Sequence, residues 1–172
     1  MVSGNLMGMT MKRINGTHMK YVNKTVHIDL SFKHFVQIIL KHGGMKLEDI
    51  RLVKDNPATY LKTSNDLHNV IKIDEAKDYY IELPFGITDI YSLYVLAHEV
   101  AHVYYKHLTD NNHLPLFVKE YQAEKWAITM LYTLGIVLSD TTIEQAKENV
   151  RYNMNNSTYK EDYPEVVEWC ST

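Results

Sequence analysis

The segment DIYSLYVLAHEVAHVYY occupies residues 89–105, and its pattern decides the fold. Apolar and aromatic side chains recur in it at the three- and four-residue spacing of an α-helix. The side chains on this stripe are Ile90, Leu93, Tyr94, Ala97, Ala101 and Tyr104. Either Thr88 or Asp89 can cap the first turn. We therefore expect a buried helix that begins at one of these two residues and runs to about Leu108.

The same segment contains an H-E-x-x-H sequence, His98-Glu99-Val100-Ala101-His102. Residues four apart on a helix differ by only about 40° of rotation, so both imidazoles project from one face and can converge on one metal ion. Glu99 lies on the adjacent flank, where its carboxylate can take a proton from a zinc-bound water. The alternative is three polar residues on an exposed face. The apolar flanks argue against exposure, and burial of such groups is costly unless they are paired or bind an ion.

Two histidines do not complete a catalytic zinc site, which has three protein ligands. His107 follows His102 by five residues, about 140° further round a continued helix, and is expected to face away. His113 lies in a predicted loop and could reach the site, but no known ligand spacing supports it. The extended pattern H-E-x-x-H-x-x-G-x-x-H is absent, because Tyr105 stands at its glycine position and Leu108 at its last histidine position.

Glu120 and Glu124 are stronger candidates for the third ligand, because they lie four residues apart on a helix predicted from Leu116 to Leu134. Ala123 and Ala127 are small residues at the same spacing, which would let this helix approach the first one closely. One carboxylate could bind the metal while the other accepts the free N–H of a metal-bound histidine. The alternative is that both are surface charges among the lysines that flank them.

The rest of the chain predicts a small α+β domain over residues 19–172, with an antiparallel hairpin packed against the two motif helices and further helices. The hairpin strands are predicted at Val70–Ile73 and Tyr79–Leu83. Three more helices are expected. The first follows the stripe Phe32–Leu40, is capped by Asp29 or Ser31 and ends at Gly43-Gly44. The second begins with a Thr141/Glu144 capping box and runs to about Met154, and the third is a short helix around Pro164–Trp169. Gly135 is expected to end the Leu116–Leu134 helix. Residues 1–18 are expected to be a disordered or tag-derived lead-in, with Met19 a candidate start.

Composition restricts the classes of function. The 172 residues include 18 Lys+Arg against 21 Asp+Glu, a formal net charge of −3, so neither a basic excess nor a basic stripe indicates direct nucleic-acid binding. Neither a membrane span nor a signal peptide is predicted. Cys170 is the only cysteine, which excludes an internal disulfide and a thiolate metal cage. A cytoplasmic location is the expectation.

The paired motifs resemble those of the gluzincin metallopeptidases, which read H-E-x-x-H and E-x-x-A-D. Within them, the chain is most similar to ImmA/IrrE-like metallo-endopeptidases, where the second motif is roughly E-x-x-A-N-x-F-A. Here it is Glu120-x-x-Ala123-Glu124-x-Trp126-Ala127. The resemblance covers about residues 70–153 and implies one zinc ion per chain. It also implies that His98, His102 and Glu120 are ligands, that Glu99 is the general base, and that Glu124 pairs with a ligand histidine.

The chain departs from that pattern in three ways. Ala101 stands where ImmA/IrrE-like proteins commonly have glycine, and Glu124 replaces a shorter Asp or Asn. Only seventeen residues separate His102 from Glu120, which leaves little room for a loop that covers a substrate. No helix-turn-helix segment accompanies the motifs, so any role linked to DNA would pass through a protein partner.

The resemblance implies a zinc-dependent endopeptidase whose substrate is a regulatory protein, such as the repressor of a phage or mobile element. The peptide is expected to add as a strand to Tyr79–Leu83. A zinc-containing protein that sequesters a regulator without catalysis is the alternative, and a hydrolase acting on a non-peptide substrate is a third possibility. The oxyanion-stabilising residue stays open among four tyrosines: Tyr60, Tyr104, Tyr105 and Tyr152.

Overall fold

The computed structural model describes residues 26–52, 71–74, 77–83, 85–108, 113–155 and 157–172. The expectations for residues 1–18, Met19 and Tyr60 lie outside this part of the chain. The described residues form an α+β arrangement, as predicted. In chain order the elements are α1 (Lys33–His42), β1 (Ile50–Leu52), β2 (Ile71–Asp74), β3 (Lys77–Leu83), α2 (Ile90–Tyr104), α3 (Leu116–Thr133), α4 (Asp140–Asn155) and α5 (Pro164–Ser171).

The sheet has the strand order β1-β3-β2 and mixed direction. β2 pairs antiparallel with β3, with Ile71 opposite Ile81. β1 pairs parallel with β3, with Ile50 opposite Ile81. The expectation of a wholly antiparallel sheet is therefore wrong, because the three-residue strand β1 is too short to give a periodic signal in the sequence.

Strand addition at Tyr79–Leu83 is also contradicted. These residues lie in β3, whose two sides pair with β1 and β2 at the common partner Ile81. A peptide strand needs unpaired backbone N–H and C=O groups at a sheet edge. Where both neighbours are present, β3 offers none.

The helix α1 follows the predicted stripe, with Val36, Ile39 and Leu40 buried. The predicted cap is wrong: Phe32 precedes the first helical residue and no side chain caps it. The Asp29 carboxylate instead accepts hydrogen bonds from the backbone N–H and the hydroxyl of Ser31, at 2.9 and 2.7 Å. The side chain of Asp29 therefore stabilises the turn before the helix.

Two other helix ends bear on the predictions. α3 ends just before Gly135, whose φ of +77° is a left-handed conformation that glycine adopts at little cost. α4 begins at Asp140, so Thr141 is already inside the helix and the predicted capping box is wrong. The Ser139 hydroxyl accepts from the Thr142 N–H at 3.2 Å at this end.

The helices pack in sequence around α2 and α3. α2 packs against α1, β3 and α3, while α4 packs against α3 and α5. The main core cluster joins α1, the sheet and α2 to α3, and a second cluster joins α3, α4 and α5. The second cluster contains Phe117, Val118, Tyr121, Val150, Met154, Val166 and Cys170. Both motif helices therefore contribute side chains to the core. In the described part of the chain, every helix is too short or too polar to cross a bilayer.

Candidate metal centre

α2 begins with a reciprocal cap. The Asp89 carboxylate accepts from the Ser92 N–H at 2.7 Å, and the Ser92 hydroxyl accepts from the Asp89 N–H at 3.1 Å. Of the two predicted candidates, Thr88 and Asp89, Asp89 is the cap. The helix ends at Tyr104, four residues before the predicted Leu108.

The motif side chains are buried. His98 is 9% exposed, Glu99 4% and His102 8%, so the interpretation as an exposed polar face is wrong. Glu120 is 1% exposed and Glu124 3%, so neither is a surface charge. Two histidines and three carboxylates at this depth need partners or a cation, because an uncompensated buried charge is strongly unfavourable.

Three of these side chains converge on one point. The Nε2 atoms of His98 and His102 are 3.0 Å apart. The Glu120 carboxylate spans both rings, with Oε2 3.5 Å from His98 Nε2 and Oε1 3.7 Å from His102 Nε2. The two rings and the carboxylate thus present one ligand atom each within 4.8 Å of one another.

The alanines of α3 explain this close approach. Ala123 and Ala127 are both completely buried, and α3 packs against α2. A larger side chain at either position would displace the second helix and carry Glu120 away from the histidines. The sequence prediction that small residues permit a close approach agrees with their placement.

Glu124 lies on the far side of the His98 ring, 3.2 Å from Nδ1. Because a carboxylate accepts, Nδ1 carries the proton and Nε2 points to the convergence point. Tyr94 also donates its hydroxyl hydrogen to Glu124. Burial and the neighbouring Glu124 charge raise the pKa of the Tyr94 hydroxyl, so that it stays a donor.

Carboxylates surround the His98 ring and govern its protonation. Burial lowers the pKa of His98, but the charges of Glu124 and Glu99 and the hydrogen bonds to Glu120 and Glu124 outweigh that effect. The resulting pKa lies well above the ordinary value. The site therefore favours a positive charge at this position, either a proton or a metal cation.

Asn149 connects the two glutamates from a third helix, α4. Its side-chain amide donates to Glu120 Oε2 at 3.2 Å and to Glu124 Oε1 at 3.1 Å. Both carboxylates are held in orientation by one planar group, and the site is built from three helices rather than two.

The expectation for His107 is wrong. Its Nδ1 lies 2.9 Å from Nδ1 of His102, and its side chain is buried. The prediction assumed that α2 continues through residue 107. The chain instead turns back after Tyr104, with Lys106 at a φ of +56°.

The other candidate ligand and the described candidate tyrosines are exposed. His113 is exposed, as are Tyr104, Tyr105 and Tyr152. His113 is not part of the ligand group that the described residues form. Nothing in these positions assigns the oxyanion-stabilising role to one of the tyrosines.

The donor set fits zinc. Zinc–nitrogen and zinc–oxygen bonds of about 2.0–2.2 Å in tetrahedral geometry place ligand atoms roughly 3.3–3.5 Å apart. The two imidazole nitrogens are 3.0 Å apart, and each lies 3.5 or 3.7 Å from the nearer oxygen of Glu120, so small shifts of these side chains would reach that range. Two imidazoles and one carboxylate are also a ligand set of catalytic zinc sites.

Sequence reasoning missed two residues that donate hydrogen bonds to the buried glutamates, Tyr94 and Asn149, and it placed His107 on the wrong side of α2. Tyr94 was assigned to the apolar stripe, where its hydroxyl gives no signal of its own. Asn149 carried a weak one, because it is a polar residue beside the buried positions Ala146 and Val150 of α4. Such a residue often pairs with another buried polar group.

Comparisons with protein families, with curated proteins and with solved structures found no match to this chain. The likeness to gluzincins accordingly rests on the two motifs.

Proposed function

We propose that the protein is a zinc-dependent endopeptidase of the gluzincin type, in which His98, His102 and Glu120 hold the metal and Glu99 is the general base. One observation carries the proposal: two imidazole nitrogens from α2 and a carboxylate from α3 converge within 4.8 Å. Glu99, the residue after His98 on the same helix, adds a buried carboxylate beside them.

A zinc ion held at this site would polarise a scissile carbonyl and acidify a water molecule. Glu99 accepts the proton of the attacking water and delivers it to the amine nitrogen that leaves. Its place on α2, one residue after His98, supports this role, because a carboxylate on that flank can reach a metal-bound water without binding the metal. Glu124 and Asn149 keep the ligand side chains in orientation throughout.

The resemblance to ImmA/IrrE-like proteins favours a regulatory protein as the substrate, a transcriptional repressor among the candidates, and a cytoplasmic site of action. The substrate backbone cannot pair with β3 where β1 and β2 flank it.

Metal content is the first test. Elemental mass spectrometry of purified protein should give about one zinc per chain. His98→Ala should lose this zinc, because two ligands bind zinc far more weakly than three. His113→Ala is the matched control, since that histidine is exposed and should leave the zinc content unchanged.

Cleavage is the second test. Wild-type protein should generate new amino termini in a peptide library prepared from a proteome, and Glu99→Gln should reduce the rate by about 10²- to 10⁴-fold while zinc is retained. Glu165→Gln, on the exposed face of α5, is the control. Zinc binding without any cleavage that depends on Glu99 would favour the non-catalytic, regulator-sequestering protein. Absence of zinc from the wild type would contradict both functions.

A further inference from the structure

His107 reaches His102 through the turn that ends α2. The Lys106 N–H donates to the Val103 carbonyl at 3.0 Å, and the His107 N–H donates to the His102 carbonyl at 3.0 Å. These two bonds, with Lys106 in the left-handed conformation, form a Schellman motif. The motif brings its last residue beside the residue five positions earlier, which here is a candidate ligand.

A hydrogen-bond chain follows from this contact. His107 Nε2 lies 2.8 Å from the amide oxygen of Gln122 on α3. Because that oxygen only accepts, His107 Nε2 carries the proton, and Nδ1 of the neutral ring is an acceptor. His102 Nδ1 therefore donates to His107 Nδ1 at 2.9 Å, and the lone pair of His102 Nε2 faces the convergence point.

The position of His107 is itself held from α3. The Lys119 ammonium donates to the His107 carbonyl at 3.1 Å, so that both the backbone and the ring of His107 contact this helix. The two candidate ligand rings are thus oriented by different acceptors. A carboxylate accepts from His98, whereas a neutral imidazole accepts from His102.

We propose that His107 is a positioning residue, which keeps His102 in the tautomer whose Nε2 binds metal, with Gln122 setting the tautomer of His107. The inference rests on the proposed metal site. It assigns to a third histidine, outside both sequence motifs, the role that Glu124 has for His98.

Three variants separate hydrogen bonding from packing. His107→Asn places an amide oxygen near the former Nδ1 and keeps an acceptor, whereas His107→Phe keeps an aromatic ring and removes it. Loss of such a partner typically weakens metal binding by about 10- to 100-fold. We expect His107→Phe to raise the zinc Kd by that factor in a competition titration with a chelator, and His107→Asn to stay within a few-fold of wild type. His113→Phe is the control for loss of a histidine.

A second measurement does not depend on zinc. Long-range nitrogen–proton NMR spectra of metal-free protein report which nitrogen of each histidine is protonated. His102 should carry its proton on Nδ1 in wild type and His107→Asn, and the fraction protonated on Nε2 should rise in His107→Phe. Circular dichroism shows whether each variant is folded.

The outcomes distinguish this inference from the proposed function. Equal losses in His107→Asn and His107→Phe would reduce His107 to a packing residue and overturn the inference. An unchanged tautomer and Kd in His107→Phe would also overturn it. If wild-type protein binds no zinc, the proposed function fails, while the tautomer spectra still decide whether His107 orients His102.

Discussion

Glu124 connects three residues of the candidate metal centre: it accepts from Tyr94, His98 and Asn149. Burial acts to raise the pKa of Glu124, but the charge of His98 and these hydrogen bonds outweigh it, and the pKa falls below its ordinary value. The carboxylate is therefore ionised in the folded protein. Its pairing with a histidine was predictable from the four-residue spacing to Glu120, whereas its two other partners were not.

The pH dependence of zinc binding follows from His98. Its pKa in the metal-free folded protein lies above that of an unfolded histidine, about 6.5. Protonated His98 thus contributes stability that is fully present below pH ~6.5 and is lost as the pH rises through the raised value. Zinc requires the neutral ring. The increase in Tm caused by zinc should therefore grow as the pH rises from about 6.5 towards the raised pKa of His98. Thermal denaturation with and without zinc measures it, and an increase independent of pH would contradict the assignment.

Asn149→Ala tests the link between the two glutamates. The substitution removes hydrogen bonds to two buried carboxylates, and each bond of this kind contributes about 1.5–3 kcal/mol. We expect the free energy of unfolding to fall by at least ~1.5 kcal/mol and the zinc Kd to rise. Urea denaturation and a chelator competition measure the two effects. Asn153→Ala, whose side chain donates to the Asn149 carbonyl, should change the zinc Kd little.

At the scale of the element, the end of α2 explains the one wrong placement among the histidines. A glycine at position 106 would have indicated a residue in the left-handed conformation, but the residue at this position is Lys106. The prediction therefore continued the helix past Tyr104 and placed His107 on the wrong side of α2. The beginning of α2 was predictable, because Asp89 is a strong capping residue and the apolar stripe follows it directly.

Lys106→Gly should stabilise the protein. A non-glycine residue in the left-handed region loses roughly 1 kcal/mol, which glycine recovers in part. We expect a gain of up to ~1 kcal/mol in the free energy of unfolding, with the zinc Kd unchanged. Lys147→Gly, the same exchange inside α4, should instead lose about 1 kcal/mol. A loss at both positions in urea denaturation would contradict the role of the turn.

The sheet shows a second limit of local patterns. β2 and β3 were predictable as a hairpin, since both are rich in β-branched or aromatic residues and lie close together in the sequence. The placement of β1 depends on a contact between Ile50 and Ile81, thirty-one residues apart in the chain. Strand order set by such distant pairing leaves no local signature, so β3 was taken for an edge.

For the whole molecule, the candidate site joins three helices of the described chain, since His98 and His102 lie on α2, Glu120 on α3 and Asn149 on α4. The α+β class and the pair of motif helices were predictable from periodicity. The contribution of α4 was not, because it depends on how α3 and α4 pack.

Removal of zinc should loosen these three helices together. A ligand at a hundred times its Kd stabilises the folded state by about 2.7 kcal/mol. Treatment with a chelator should therefore speed amide hydrogen exchange in α2, α3 and α4 relative to α1. His98→Ala should exchange at the faster rate whether or not zinc is added. Equal protection with and without metal would show that the site does not hold the helices together.

Gly43 sets the clearance between α1 and α2. Its φ of −79° is ordinary, but a Cβ at this position would lie 2.6 Å from Val100 Cγ1. Val100 is two residues from both ring-bearing positions and points about 200° away from them around the helix. In Gly43→Ala, the added methyl group would push against α2 on the side opposite His98 and His102. Zinc affinity measured in that variant should fall, and a screen for inactive variants should recover this position although it touches no ligand.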